Sequence, residues 1–201
     1  DCPQGFYCPE GTPSPHNKPC PIGTYNNLTR LESIDQCQNC PAGYYCPYLA
    51  QIEPVLCKAG FYCPGDGTTS FDENDMYSNP CPPGSQCPVG SKQPESCPLN
   101  TYGNQEYLEN CLPCPAGYTC ANLGTRVPVA CPSGQYCEEG IPPHNCPIGT
   151  WQPYQGGSSI EDCLCCPAGY ICDTAGLNDY SSMTTSCQAG FYCNQGSIDD
   201  T

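Results

Sequence analysis

Long apolar runs are missing from this 201-residue chain, and no segment approaches the roughly 20 apolar residues that a membrane-spanning helix needs. Basic residues are nearly missing too. Lys18, Arg30, Lys58, Lys92 and Arg126 face 20 acidic residues, for a net charge of -15. Nucleic acid and anionic membranes are repelled by such a surface, so neither is expected as a partner. Histidine occurs only at His16 and His144, both in proline-rich connectors, and nothing positions any two of the carboxylates. An enzyme is therefore not expected, since general acid–base chemistry needs placed groups in a rigid cleft. Leu, Ile, Val and Phe are scarce as well. An aliphatic core cannot then offset roughly 1 to 2 kcal/mol of backbone entropy per ordered residue. No segment keeps a helical period over three turns, because proline interrupts nearly every window of ten residues.

What is present in place of a core is 23 Cys, 25 Pro and 21 Gly. Cysteine at this density marks a disulfide scaffold, and disulfides persist in oxidising surroundings. An extracellular or cell-surface location follows. The chain opens on Asp1 and Cys2 and closes on Asp199, Asp200 and Thr201, and reads as a mature segment.

A short repeat runs through the whole sequence. A motif of the form C-P-x-G-x-Y begins at Cys2, Cys20, Cys40, Cys57, Cys81, Cys97, Cys114, Cys131, Cys146, Cys166 and Cys187. In eight short repeats the closing cysteine follows after five residues, giving Cys8, Cys46, Cys63, Cys87, Cys120, Cys137, Cys172 and Cys193. In three long repeats, Cys20-Pro-Ile-Gly-Thr-Tyr25, Cys97-Pro-Leu-Asn-Thr-Tyr102 and Cys146-Pro-Ile-Gly-Thr-Trp151, it waits until Cys37, Cys111 and Cys163. A long repeat is a short one with a loop inserted.

Proline after the cysteine sets the φ of a turn's second position, and glycine two places later suits a positive φ. Asn100 replaces that glycine in one repeat, and asparagine best tolerates the left-handed region among the other residues. An aromatic follows in every repeat except the one at Cys81, and such rings are expected to lie across neighbouring disulfides or prolines.

Eleven repeats account for all cysteines but Cys165, in Cys163-Leu-Cys165-Cys166. Sequential pairing, Cys2 with Cys8, Cys20 with Cys37, Cys40 with Cys46 and onward, is the simplest connectivity. A crossed ladder joining Cys40 to Cys57 and Cys46 to Cys63 is the rival, and the sequence leaves both open. Loops of this size contribute about 2.4 to 3.2 kcal/mol each in the chain-entropy model. Cys165 is left over, with a free buried thiol, a local alternative partner or an intermolecular cross-link as its possible fates.

Three blocks are expected: 1–63, then a linker over 64–80, then 81–130 and 131–201. Two-residue junctions such as Cys37-Gln-Asn-Cys40 should be rigid, whereas 64–80, with Gly65, Gly67 and Asp72-Glu73-Asn74-Asp75, should bend. The expected fold is a small disulfide-rich repeat array, elongated, with short β-hairpins and no helical core.

The C-P-x-G-T-Y loop followed by C-x-x-C-P-x-G, clearest over 20–46, 97–120 and 146–172, resembles the ephrin-receptor-like (GCC2/GCC3) cysteine-rich repeats. More distantly it is similar to the modules of tumour necrosis factor receptors. Arrays of the first kind occur in large surface proteins, abundantly in ciliates and other protists. The resemblance implies an extracellular module without implying a ligand.

No cofactor is expected. The three C-x-x-C steps lie too far apart for a four-thiolate zinc site, and calcium at Asp72, Glu73 and Asp75 would need six or more oxygens in one loop. Asn27-Leu28-Thr29 is an N-glycosylation sequon on an inserted loop, and Thr68, Thr69 and Ser70 could carry O-linked sugar. The function expected is structural or adhesive: a protomer or segment of an extracellular filament, stalk or matrix, whose partners are further copies of itself or of a parent repeat protein. The alternative is a receptor or surface-antigen ectodomain that binds a protein ligand.

Overall fold

The structure, a computed structural model, describes residues 1–65, 79–179, 181 and 185–199. The acidic cluster at Asp72, Glu73 and Asp75, the candidate sugar acceptors Thr68, Thr69 and Ser70, and most of the expected linker lie outside the described residues. Two compact units are present: Asp1–Ser96 with Gln105–Cys111, and Cys97–Asn104 with Leu112–Thr201.

Both units are small disulfide-rich repeat arrays assembled by one rule. The two residues after the turn position run extended and pair antiparallel with the two that precede the next opening cysteine. Tyr44 and Tyr45 thus face Leu56 and Val55, Tyr118 and Thr119 face Ala130 and Val129, and Thr150 and Trp151 face Cys165 and Leu164. Single bridges, Phe6 with Pro19 and Phe61 with Pro80, hold the same register where a full pair is not formed. Thr, Tyr, Trp and Val at these places suit a pleated backbone. The strands stop at two residues because the turn position on one side has a positive φ, as at Gly43 (87°) and Gly134 (82°), and the cysteine on the other turns inward. Among the described residues the helical elements are two 3-10 turns, Ile34–Gln36 and Ile160–Asp162, both in inserted loops.

Disulfides occupy the place of the core. Cys20, Cys57, Cys131 and Cys166 are fully buried, while Ile22, Ile148 and Leu99 lie exposed. Aliphatic packing occurs at a few points. Leu31 covers the cysteines of the first long repeat together with Tyr7, and Leu177 lies on Cys166 and Cys172 with Trp151 and Tyr170. Phe6 and Tyr136 take a different partner from the disulfide faces: Phe6 meets His16 edge-on at 5.0 Å, and Tyr136 stacks on His144 at 5.5 Å. Each histidine thus serves as a flat packing surface for an aromatic of its own repeat.

Candidate functional site

The chemistry of this chain lies in the seam between consecutive repeats. Within each unit, opening cysteines donate their amide to the carbonyl of the preceding turn residue: Cys20 to Gly5 (2.8 Å), Cys40 to Gly23 (2.9 Å), Cys131 to Gly117 (2.8 Å) and Cys187 to Gly169 (3.0 Å). That turn residue donates onward to the carbonyl of the next closing cysteine, as Gly43 does to Cys63 (2.8 Å) and Gly117 to Cys137 (2.9 Å). A second turn, after the closing cysteine, returns two more bonds. Gly140 donates to Cys114 and Gly176 to Cys146, both at 2.9 Å or closer, and the following carbonyl accepts from the closing position of the previous repeat, as Leu108 does from Cys87 (2.9 Å). Buried amides and carbonyls that no sheet could satisfy are paired in this way.

Turn glycines are required twice over. Beyond the positive φ, Gly5, Gly43, Gly60, Gly117, Gly134 and Gly149 face a backbone carbonyl two repeats away: a Cβ on Gly5 would lie 2.3 Å from the Ala50 oxygen, and one on Gly117 would lie 2.9 Å from that of Gly156, whereas one on Gly169 or Gly190 would meet nothing within 4 Å. The second turn also needs a positive φ, and there Arg30 (67°), Ala50 (56°) and Tyr107 (64°) adopt it beside the glycines of other repeats. Asn100 adopts it as expected, at 63°. In several second turns a hydroxyl closes the loop, with Thr12 and Ser91 donating to Pro9 and Pro88 at 2.6 Å.

Long repeats lack a cysteine six places after the opening one; in the first and third a polar side chain fills that buried position, and in the second it is Gly103. Asn26 is fully buried and Gln152 nearly so. Asn26 donates its side-chain NH2 to the Leu28 carbonyl (2.8 Å) and accepts from the Leu28 amide (2.9 Å), while Gln152 donates to the Asp162 carbonyl (2.7 Å). Their backbone carbonyls accept from Gly5 and Gly134 as a closing cysteine's would. The signal was present in the spacing, since both residues sit where a closing cysteine would fall, but nothing in residue type announces burial. The inserted loops of the first and third long repeats then fold over a 3-10 turn. Gln36 Oε1 accepts from the Glu32 and Ser33 amides, and Asp162 Oδ2 accepts from Ser158 and Ser159. The Ser158 amide and hydroxyl, with the Ser159 amide, hold the Asp162 carboxyl below its ordinary pKa.

The structure joins Cys2 to Cys8, Cys20 to Cys37, Cys40 to Cys46, Cys57 to Cys63 and Cys81 to Cys87, with Cα separations of 5.8 to 6.0 Å. Further along it joins Cys114 to Cys120, Cys131 to Cys137, Cys146 to Cys163, Cys166 to Cys172 and Cys187 to Cys193. Cys97 and Cys111 are disulfide-bonded as well. Cys165 is a free thiol, exposed and not buried, at the strand position opposite Thr150, because that face of the two-residue strand points away from the disulfides. Asn27 is exposed, beside buried Asn26, and its carbonyl accepts from Gln4 Nε2 at 2.7 Å. Among the described residues no group of three or more His, Cys, Asp or Glu is placed to hold a metal ion, and no helix is long and apolar enough to cross a membrane.

These features define an extracellular, disulfide-bonded, cysteine-rich repeat protein. No protein-family profile matches the chain. It is similar to the rat and mouse "Sushi, von Willebrand factor type A, EGF and pentraxin domain-containing protein 1", each 30% identical over 178 residues, covering 85% of this chain and 5% of that protein. It is also similar to the zebrafish "Laminin subunit gamma-1", 27% identical over 200 residues, covering 92% of this chain and 11% of the other. The "ABC-type transporter claG" of Penicillium crustosum is 33% identical over 96 residues, covering 48% of this chain and 11% of the transporter. The chain thus spans about a twentieth of the length of the mammalian relatives.

Proposed function

We propose that this chain is a structural and adhesive element of extracellular material, a segment of a filament, stalk or matrix whose repeats act as a stiffened spacer. The seam carries this reading: within each unit the repeats are positioned by backbone bonds to their sequence neighbours, and six turn glycines admit a carbonyl from two repeats away. Such a chain resists local bending without a conventional core, which suits load and reach better than catalysis. Similarity to a laminin subunit and to a large sushi- and EGF-containing protein supports the same direction. The kinship we favour is with the ephrin-receptor-like repeats, on the strength of the C-P-x-G-T-Y loops and two-residue junctions at 20–46, 97–120 and 146–172. Partners are further copies of the chain or of a parent repeat protein.

Analytical ultracentrifugation of the oxidised chain, alongside electron microscopy of the native material, tests the reading. Concentration-dependent association and ordered assemblies are expected. A monodisperse monomer that saturates with one protein ligand would replace the structural role with the receptor ectodomain. Asn27 is proposed to carry N-linked glycan, being exposed within its sequon. Expression through a secretory pathway should give a product that an N-glycanase shortens, and Asn27→Gln should remove that shift.

A further inference from the structure

The longest interval without Asp or Glu lies between Glu109 and Glu138, where Arg126 carries the one formal charge. The fold turns part of this stretch into an apolar face. Tyr118, Leu123, Val127 and Val129 are 45%, 69%, 75% and 65% exposed, in a protein with little aliphatic surface to leave outside. A shallow groove opens on either flank of Arg126 and Val127. One, of about 530 Å³, is floored by Tyr102, Tyr118, Pro115 and Pro128; the other, of about 390 Å³, is walled by Leu123 and Val129. Neither groove is lined by a carboxylate. Arg126 is exposed and, among the described residues, forms no salt bridge.

The complementary shape is on the same chain. The inserted loops of the first and third long repeats each head a 3-10 turn with an exposed isoleucine followed directly by a carboxylate: Ile34-Asp35 and Ile160-Glu161. Both turns are held rigid by the Gln36 and Asp162 side chains, so their isoleucines project at little further entropic cost.

We propose that the 118–129 face docks the 3-10 turn of a long repeat from a second copy of this chain, with the isoleucine in a groove beside Val127 and the neighbouring carboxylate on Arg126. The occupant is assigned by charge and by apolar match together: an acidic chain presents few surfaces that can accept its own carboxylates, and this face is acid-free. Because socket and knob are different surfaces, the contact is heterologous and propagates instead of closing on itself. Salt has a signed effect. A net charge of -15 on every copy opposes association, and screening relieves that repulsion over the whole surface while weakening a single pair. Association should therefore strengthen on going from low to physiological salt.

The proposal deepens the structural reading above and can fail separately from it. Sedimentation equilibrium of the oxidised 201-residue chain at physiological salt is the measurement. Arg126→Glu should weaken self-association about tenfold or more, as should Asp35→Arg with Glu161→Arg, and combining all three should restore it to within about threefold. Lys92→Glu changes net charge equally at an exposed site elsewhere and should leave association unchanged. Val127→Asp should abolish it. Unchanged association after Arg126→Glu and Val127→Asp overturns the docking face while leaving the structural role standing. A wild-type chain that stays monomeric to about 1 mM overturns the docking face outright.

Discussion

A Cβ atom on Gly134 would lie 2.3 Å from the carbonyl oxygen of Gly176, two repeats further along the chain. Sequential neighbours are joined by hydrogen bonds, but this second-neighbour approach packs the backbone of alternate repeats together. Gly134→Ala should therefore cost about 2 to 4 kcal/mol, combining left-handed strain with backbone displacement. Gly11→Ala meets nothing within 4 Å at a similar φ of 80° and should cost only about 1 kcal/mol. Denaturant unfolding with the disulfides intact compares the two, and equal costs would show that close approach adds nothing.

Asn26 should behave as a core residue although it is polar. Asn26→Ala leaves the Leu28 amide without its acceptor and is expected to destabilise the first long repeat by about 1 to 3 kcal/mol. Hydrogen exchange reads the loss directly, as faster exchange at Leu28 with little change in repeats far from it.

Disulfide mapping follows from the pairing by repeats. Non-reducing digestion at the connectors should release peptides in which Cys40 is linked to Cys46 and Cys57 to Cys63. A peptide linking Cys40 to Cys57 would replace this pairing with the crossed ladder. Alkylation without reductant should label Cys165 alone.

Much of this is legible in the sequence. The eleven openings, the glycine or asparagine at the first turn, and the inserted loops all follow from a repeated spacing with fixed turn chemistry. The second turn was harder to see because its positive φ is taken by Gly176 in one repeat and by Ala50, Arg30 or Tyr107 in others, so no single residue type marks it. Gln152 and Asn26 escaped notice for a related reason: their burial is set by position relative to a cysteine that is absent. The docking face depended on something subtler, an interval without acids, which only the exposure of Val127 and Leu123 turns into a surface.

Acid should loosen the third long repeat first at its 3-10 turn. The Asp162 carboxyl has a lowered pKa because Ser158 and Ser159 donate to its charged form. A lowered folded pKa contributes stability that is present above the ordinary carboxylate value and lost as pH falls through the depressed one. Amide shifts of Ser158 and Ser159 should titrate together in that acidic window, and Asp162→Asn should remove the titration.

The small disulfide loops have a mechanical consequence. A bond across residues six apart, or 17 apart in the first and third long repeats, takes every residue between them out of the path along which tension travels. Roughly half of the backbone steps are bypassed in this way, so the oxidised chain holds back on the order of 250 Å of contour at about 3.4 Å per residue. Pulled from its ends, it would yield by opening seams while its loops stayed shut, and only a reductant could release the hidden length.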